Sequence, residues 1–107
     1  MRKTTKECVR AFYDDRSITI GNTKVTFDTD GSTIMKLHGN IIAVKHDNEL
    51  IISSAGWQTN TTKERLNGVL SCTSFGIYQK KGIWYLTDYT QSEKQDVEFY
   101  DGMVIKL

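Results

Sequence analysis

A chain of 107 residues with a net charge of +1, 38% hydrophobic and 25% charged residues has the composition of one ordinary globular domain, expected to span residues 1–107, and not of a disordered segment. The near-neutral balance excludes the strong positive field of a dedicated nucleic-acid binder, whose affinity comes from neutralising phosphates. Residues 1–81 nevertheless carry 12 of the 14 Lys and Arg against 8 of the 13 Asp and Glu, which leaves room for a local basic face.

In chain order, TTKECVRAFYDD places Val9, Phe12 and Tyr13 on one side of a short amphipathic helix, with Thr4 and Glu7 spaced as a capping box. SITI and TKVTF alternate apolar with polar residues around Gly21-Asn22, the pattern of a half-buried hairpin, and Asp28 to Ser32 supplies the next turn. TIMKLH, IIAVKH and ELIISS then read as strands separated by Gly39-Asn40 and Asp47-Asn48. A second helix is expected from about Thr62 to Ser71, followed by GIYQ and IWYL around Lys80-Lys81-Gly82, and by VEFY and MVIKL around Asp101-Gly102. Asp-Gly between alternating runs is the strongest hairpin signal in the chain. There is no proline, so no proline hinge or cis-proline turn exists.

No stretch of about 18 apolar residues occurs, and the cations Arg2, Lys3 and Lys6 precede no apolar run of signal-peptide length, so the sequence points to a soluble, cytoplasmic protein with no membrane partner. On that reading the Asn60-Thr61-Thr62 triplet is no glycan acceptor. Cys8 and Cys72 fall on separate predicted helices and are expected as reduced, buried thiols.

The tetrapeptide TTKE occurs twice, at Thr4–Glu7 and Thr61–Glu64, with apolar positions aligned behind each copy. Two uses of one capping solution explain this better than a duplicated unit. In the second copy, inside GWQTNTTKERLNGVL, Thr61 is expected to cap the helix, Glu64 to reach back to the cap amide, Leu66, Val69 and Leu70 to face the core, and Trp57 to pack as the strand ends. Gln58, Thr59, Asn60, Lys63, Arg65 and Asn67 are left without structural work. A helix start offers free N–H groups and a positive dipole end, and Thr59 and Thr62 with Lys63 and Arg65 suit a phosphate or carboxylate.

The strand Leu37-His38-Gly39-Asn40-Ile41-Ile42-Ala43, the segment GWQTNTTKERLN and the later QKKGIWYL together resemble small bacteriophage-encoded proteins. The resemblance covers roughly residues 37–86. It implies a phage origin and an accessory role, and it carries no functional residue with it.

Tyr78, Lys80, Lys81, Trp84 and Tyr85 interleave aromatics with cations on one hairpin, as single-strand binding platforms do. Alternation puts Ile83 and Tyr85 on one face and Trp84 and Leu86 on the other, so one large aromatic is expected at the surface. His38 and His46, with Asp28 or Asp30, could be imagined as a metal or acid-base cluster, but nothing in the spacing fixes their geometry, and DTDG lacks the remaining ligands of a calcium loop. No nucleophile stands beside a recognisable base: Ser53 and Ser54 are in no G-x-S-x-G elbow, and Cys72 lies at a helix end.

These observations lead to an α+β fold, a mainly antiparallel sheet carrying two short helices. The function expected is a non-enzymatic accessory role in binding nucleic acid through Thr59, Lys63, Arg65, Asn67, Lys80, Lys81, Trp84 and Tyr85, with no cofactor and no metal site. One competing reading is a protein-binding module directed at a host factor, with Trp57 or Tyr78 exposed. The other is a small metal-dependent nuclease built on His38 and His46. Homodimerisation through sheet edges is the oligomeric expectation.

Overall fold

The computed structural model describes residues 1–91 and 96–107. Its first element, α1 (Lys3–Tyr13), turns Thr5, Cys8, Val9, Ala11 and Phe12 inward, the i, i+3, i+4 spacing of one helix face. The Thr4–Glu7 capping box is not used. The helix begins before that box would allow, and its N-cap Arg2 makes no side-chain capping bond.

Five strands follow: β1 (Ile18–Ile20), β2 (Thr23–Phe27), β3 (Thr33–Leu37), β4 (Asn40–His46) and β5 (Glu49–Ile52). After α2 (Asn60–Leu70) come β6 (Phe75–Lys80), β7 (Ile83–Asp88), β8 (Val97–Glu98) and β9 (Met103–Lys106). The expected α+β class holds, with every described strand pairing antiparallel. The sheet is divided, however: one of six strands in the order β1-β2-β3-β4-β5-β9 and one of three in the order β6-β7-β8.

The Asp101-Gly102 pair accounts for the division. It is not the turn of a β8–β9 hairpin but the crossing from the small sheet to the large one. Phe99 N–H bonds the Trp84 carbonyl on one side of the crossing, and Gly102 N–H bonds the Ile52 carbonyl on the other. An Asp-Gly pair favours a tight reversal, but here the Asp101 carboxylate also accepts from Ser54 N–H at 2.7 Å and from the Ser54 hydroxyl at 2.8 Å, which ties the corner to the end of β5.

Alternation sends Val25, Met35, Leu37, Ala43, Leu50, Ile52, Met103 and Ile105 to the inner face of the large sheet, where they form one core with Leu66, Val69 and Leu70 of α2 and with Ile77, Trp84, Leu86 and Phe99. The β3–β4 turn is His38-Gly39, one residue earlier than the sequence suggests, with φ of +51° and +82°, the left-handed pair that a two-residue hairpin of matching twist needs. Just past it the register shifts between Met35 and Lys36, since Lys36 opposes Ile41 and Met35 opposes Ala43. Ile42 is therefore an extra residue and turns inward as well, as β-bulges commonly re-aim a side chain.

Candidate functional site

At the start of α2 the capping residue is Thr59, not Thr61: its hydroxyl accepts from Thr62 N–H at 3.1 Å. Glu64 does not return to the cap. Its carboxylate accepts from the Thr5 hydroxyl and from Arg2 N–H, joining the second TTKE to the first. Burial opposes its charge, but the Thr5 and Arg2 hydrogen bonds and the Arg65 guanidinium outweigh burial and hold the carboxyl below its usual range.

Arg65 was expected to reach a phosphate; it is instead 3% exposed. Nε donates to the Thr23 hydroxyl at 3.0 Å, Nη1 donates to the Thr5 hydroxyl at 2.6 Å, and Nη1 also pairs with Glu64. The guanidinium fork is thus spent on joining α1, α2 and β2. Asn67 is likewise structural, since its amide donates to the Ile77 carbonyl at 2.9 Å and accepts from Ile77 N–H at 2.7 Å, holding α2 against β6. Lys63 lies 6.0 Å from the Trp84 ring and donates to Gln79 Oε1 at 3.1 Å.

On the β6–β7 hairpin, alternation resolves the aromatics. Trp84 packs inward against Phe99 and is 2% exposed, so no base can stack on it. Tyr85 takes the outer face, opposite Tyr78, their rings stacked with centroids 5.6 Å apart. Lys80 and the exposed Ile83 form the next row on that face, and Lys81 occupies the turn at φ +52°. The exposed Tyr89 lies against Gly76, where a Cβ would stand 2.7 Å from its ring. The outer face therefore carries Tyr89, the Tyr78–Tyr85 pair and Lys80 in sequence along the hairpin. Tyr78 donates to Asp96, and that hydrogen bond, with burial, pushes its phenol up to about 12, so it stays neutral. Lys63, bonded to Gln79 beside Trp84, belongs to the opposite face.

A second feature lies at the start of α2. A cavity of about 550 Å³ opens between the β3–β4 turn, the end of β5 and the start of α2, lined by Leu37, His38, Asn40, Ile42, Ser54, Trp57, Thr59, Thr61 and Thr62. Trp57 does not pack as the strand ends; it is 65% exposed. Its loop is nonetheless well bonded, with Ala55 N–H to the Ser53 hydroxyl, Gly56 N–H to the Ser54 hydroxyl and Trp57 N–H to the Ser54 carbonyl. Ala55 and Gly56 both sit at positive φ, +53° and +83°. The sequence signals for this site are Trp57 directly after a glycine at a strand end and the hydroxyls of Thr59 and Thr62 at the helix start.

His38 and His46 are not brought together. His46 ends β4 and His38 lies in the turn before its other end, so the length of the strand, about 20 Å at strand rise, separates them, with His38 beside Asn22 at 3.4 Å and His46 beside the Ser32 hydroxyl at 2.9 Å. Asp30 and Asp28 are turn formers, bonding Ser32 N–H and Gly31 N–H respectively. Among the described residues no group of three His, Cys, Asp or Glu is placed to hold a metal ion. Cys8 is buried as expected, and burial raises its thiol; Cys72 is exposed, because it follows the end of α2. Among the described residues no helix is long and apolar enough to cross a membrane.

The fold defines a small α+β protein that carries an outer tyrosine face on its three-stranded sheet and a cleft beside Trp57. Residues 1–106 match the Kyanoviridae Gp96 protein family, and the chain belongs to that family, which makes it a bacteriophage protein. No curated protein and no solved structure matches it.

Proposed function

We propose that this phage accessory protein binds single-stranded nucleic acid on the outer face of the β6–β7–β8 sheet. The observation that carries the reading is the cross-strand Tyr78–Tyr85 stack with Lys80 beside it on one face and Lys81 at the turn. Aromatic faces accept successive bases without sequence preference, and neighbouring cations take the phosphates. Glu98 opposes Tyr85 on β8 and Asp96 is bonded to Tyr78, so like-charge repulsion steers the phosphate backbone away from β8 toward Lys80 and Lys81. Of the residues singled out from sequence, Tyr85, Lys80 and Lys81 remain in this site, Thr59 and Lys63 lie outside it, and Arg65, Asn67 and Trp84 serve the fold.

The test is fluorescence anisotropy of a labelled oligothymidylate at about 50 and 200 mM salt. Binding should weaken with salt. Tyr78→Ala with Tyr85→Ala should lower affinity about tenfold or more, at roughly 1–3 kcal/mol per stacked base, and Lys80→Ala with Lys81→Ala should flatten the salt dependence. Unchanged affinity in both double variants would sink the proposal.

One observation favours a protein partner as the second reading. Thr26, Ile34, Val44, Ile51 and Val104 are cross-strand neighbours on the outer face of the large sheet, with Ile51 and Val104 exposed. An uncovered apolar row of this kind suits a protein surface, including a second copy. A monodisperse monomer whose partners in infected-cell lysate are unaffected by Ile51→Lys would remove this reading.

A further inference from the structure

The cavity beside Trp57 belongs to a different part of the molecule from the tyrosine face, and its lining is chemically selective. Its volume of about 550 Å³ falls in the range of small-molecule sites, about 300–1,000 Å³. None of its lining residues is Lys, Arg, Asp or Glu, so, apart from His38 and the partial positive charge of the α2 start, a phosphate-rich or strongly ionic ligand would meet no counter-charge. One wall is the exposed indole of Trp57, held on a loop whose amides are bonded and whose Ala55 is kept in the left-handed region. Such strain at a non-glycine position is a recurrent mark of ligand sites. The floor is apolar, made by Leu37 and by Ile42, the residue that the β4 bulge turns inward.

Polar groups at the rim remain unengaged. Asn40 makes only a long 3.5 Å contact from its amide nitrogen to the His38 carbonyl, and its amide oxygen has no protein partner among the described residues. The Thr61 hydroxyl and N–H are likewise without a partner among the described residues. Thr59, Thr62 and Ser54, by contrast, are already committed to the cap and to Asp101. A flat neutral ring fits between an indole and an aliphatic floor, with donors and acceptors at its edge meeting Asn40 and Thr61. A sugar ring fits less well, because its equatorial hydroxyls would be stripped of water against Leu37 and Ile42.

We propose that the Trp57 cleft binds a nucleobase, its faces held by Trp57 and the Leu37–Ile42 floor and its edge read by Asn40 and Thr61. The base can come from a free nucleoside or from an unstacked base in a single strand. This assignment does not depend on the tyrosine face. The experiment titrates adenosine, guanosine, cytidine and uridine into the full chain and follows tryptophan emission, which reports the cleft because Trp84 is buried and Trp57 is the exposed indole.

At least one nucleoside should quench emission saturably, with a half-saturation on the order of 0.1–1 mM, the range that ligand efficiency allows a ligand of that size. Asn40→Ala combined with Thr61→Val should raise the half-saturation at least fivefold while circular dichroism stays unchanged. Trp57→Phe should abolish the quench, and ligand-observed magnetic resonance on that variant should show binding retained but weakened. If an oligonucleotide displaces the nucleoside, the base comes from a strand; if it does not, the source is a free nucleoside. Absence of saturable quenching by all four nucleosides would overturn the proposal. So would an equal response to phenol or to methyl glucoside, or an undiminished response in Asn40→Ala/Thr61→Val.

Discussion

Replacing Arg65 by Ala should be among the most damaging single substitutions in this chain, although a cation six residues into a surface helix would ordinarily be dispensable. Arg65 is 3% exposed, and its guanidinium bonds Thr5 and Thr23, both fully buried, and pairs with Glu64. Truncation leaves two buried hydroxyl oxygens short of a donor, at about 1–3 kcal/mol each toward the low end because both hydroxyls keep their own acceptors, Glu64 and Asn22. It also opens a void between α1, α2 and β2 and leaves the partly buried Glu64 without its cation. The sum is about 3–5 kcal/mol, the usual penalty for breaking a buried pair, against a total stability of roughly 5–15 kcal/mol. In urea, with unfolding followed by Trp84 emission and a slope of about 2 kcal/mol/M, the middle of the usual range, the midpoint should fall by roughly 1.5–2.5 M. Arg65→Lys keeps the charge but not the Nε bond to Thr23, and should lose about half as much. A midpoint shift under about 0.3 M for Arg65→Ala would refute the reasoning and return Arg65 to the surface as a free cation.

Three other outcomes follow from named contacts. Gly68 lies where α2 crosses α1, and a Cβ there would stand 2.5 Å from Thr5 Cγ2 and 3.0 Å from Val9 Cγ2; overpacking of about 1–3 kcal/mol exceeds the helix-propensity gain of about 1 kcal/mol, so thermal unfolding should show Gly68→Ala destabilised by up to about 2 kcal/mol. Glu64 has a depressed carboxyl in the folded state, so its stabilisation is present above the ordinary value of 4.5 and is lost as pH falls through the folded value; denaturation from pH 7 downward should show a decline that Glu64→Gln reduces, with the remainder belonging to Asp15, Asp30 and Asp88, whose carboxyls are also held low by hydrogen bonds. A thiol reagent should label Cys72 rapidly in the native protein and Cys8 only after unfolding, since Cys72 is exposed and Cys8 is buried with a raised thiol.

The local patterns of the sequence specified most of this architecture. Period-two alternation marked TKVTF and MVIKL as strands, whose Val25 and Ile105 bury, and the helical spacing of Val9 and Phe12 and of Leu66, Val69 and Leu70 marked the faces that bury. Caps and partners were less legible, because they depend on what lies across the fold. Thr59 and Thr61 are equally good capping residues in isolation, and what separates them is where the loop from β5 delivers the chain. Arg65 reads as a surface cation until α1 and β2 bring Thr5 and Thr23 to it. The Asp101-Gly102 hairpin failed for the same reason, since β9 pairs with β5 from far along the chain. The tyrosine face was half readable: alternation separated Trp84 from Tyr85, but only cross-strand register shows Tyr78 opposite Tyr85. Of the Trp57 cleft, the helix start and the indole were legible and the floor was not, because it depends on a bulge at Ile42 that no residue type announces.

The most direct test of the nucleic-acid reading is a map of backbone amide shifts in isotopically labelled protein as a ten-residue oligothymidylate is added. The account predicts that perturbations centre on Tyr78, Lys80, Lys81, Gly82 and Tyr85 and shrink as salt is raised, with β2, β3 and α1 unchanged. Shifts confined to the outer face of the large sheet, or no shifts at all, would contradict it.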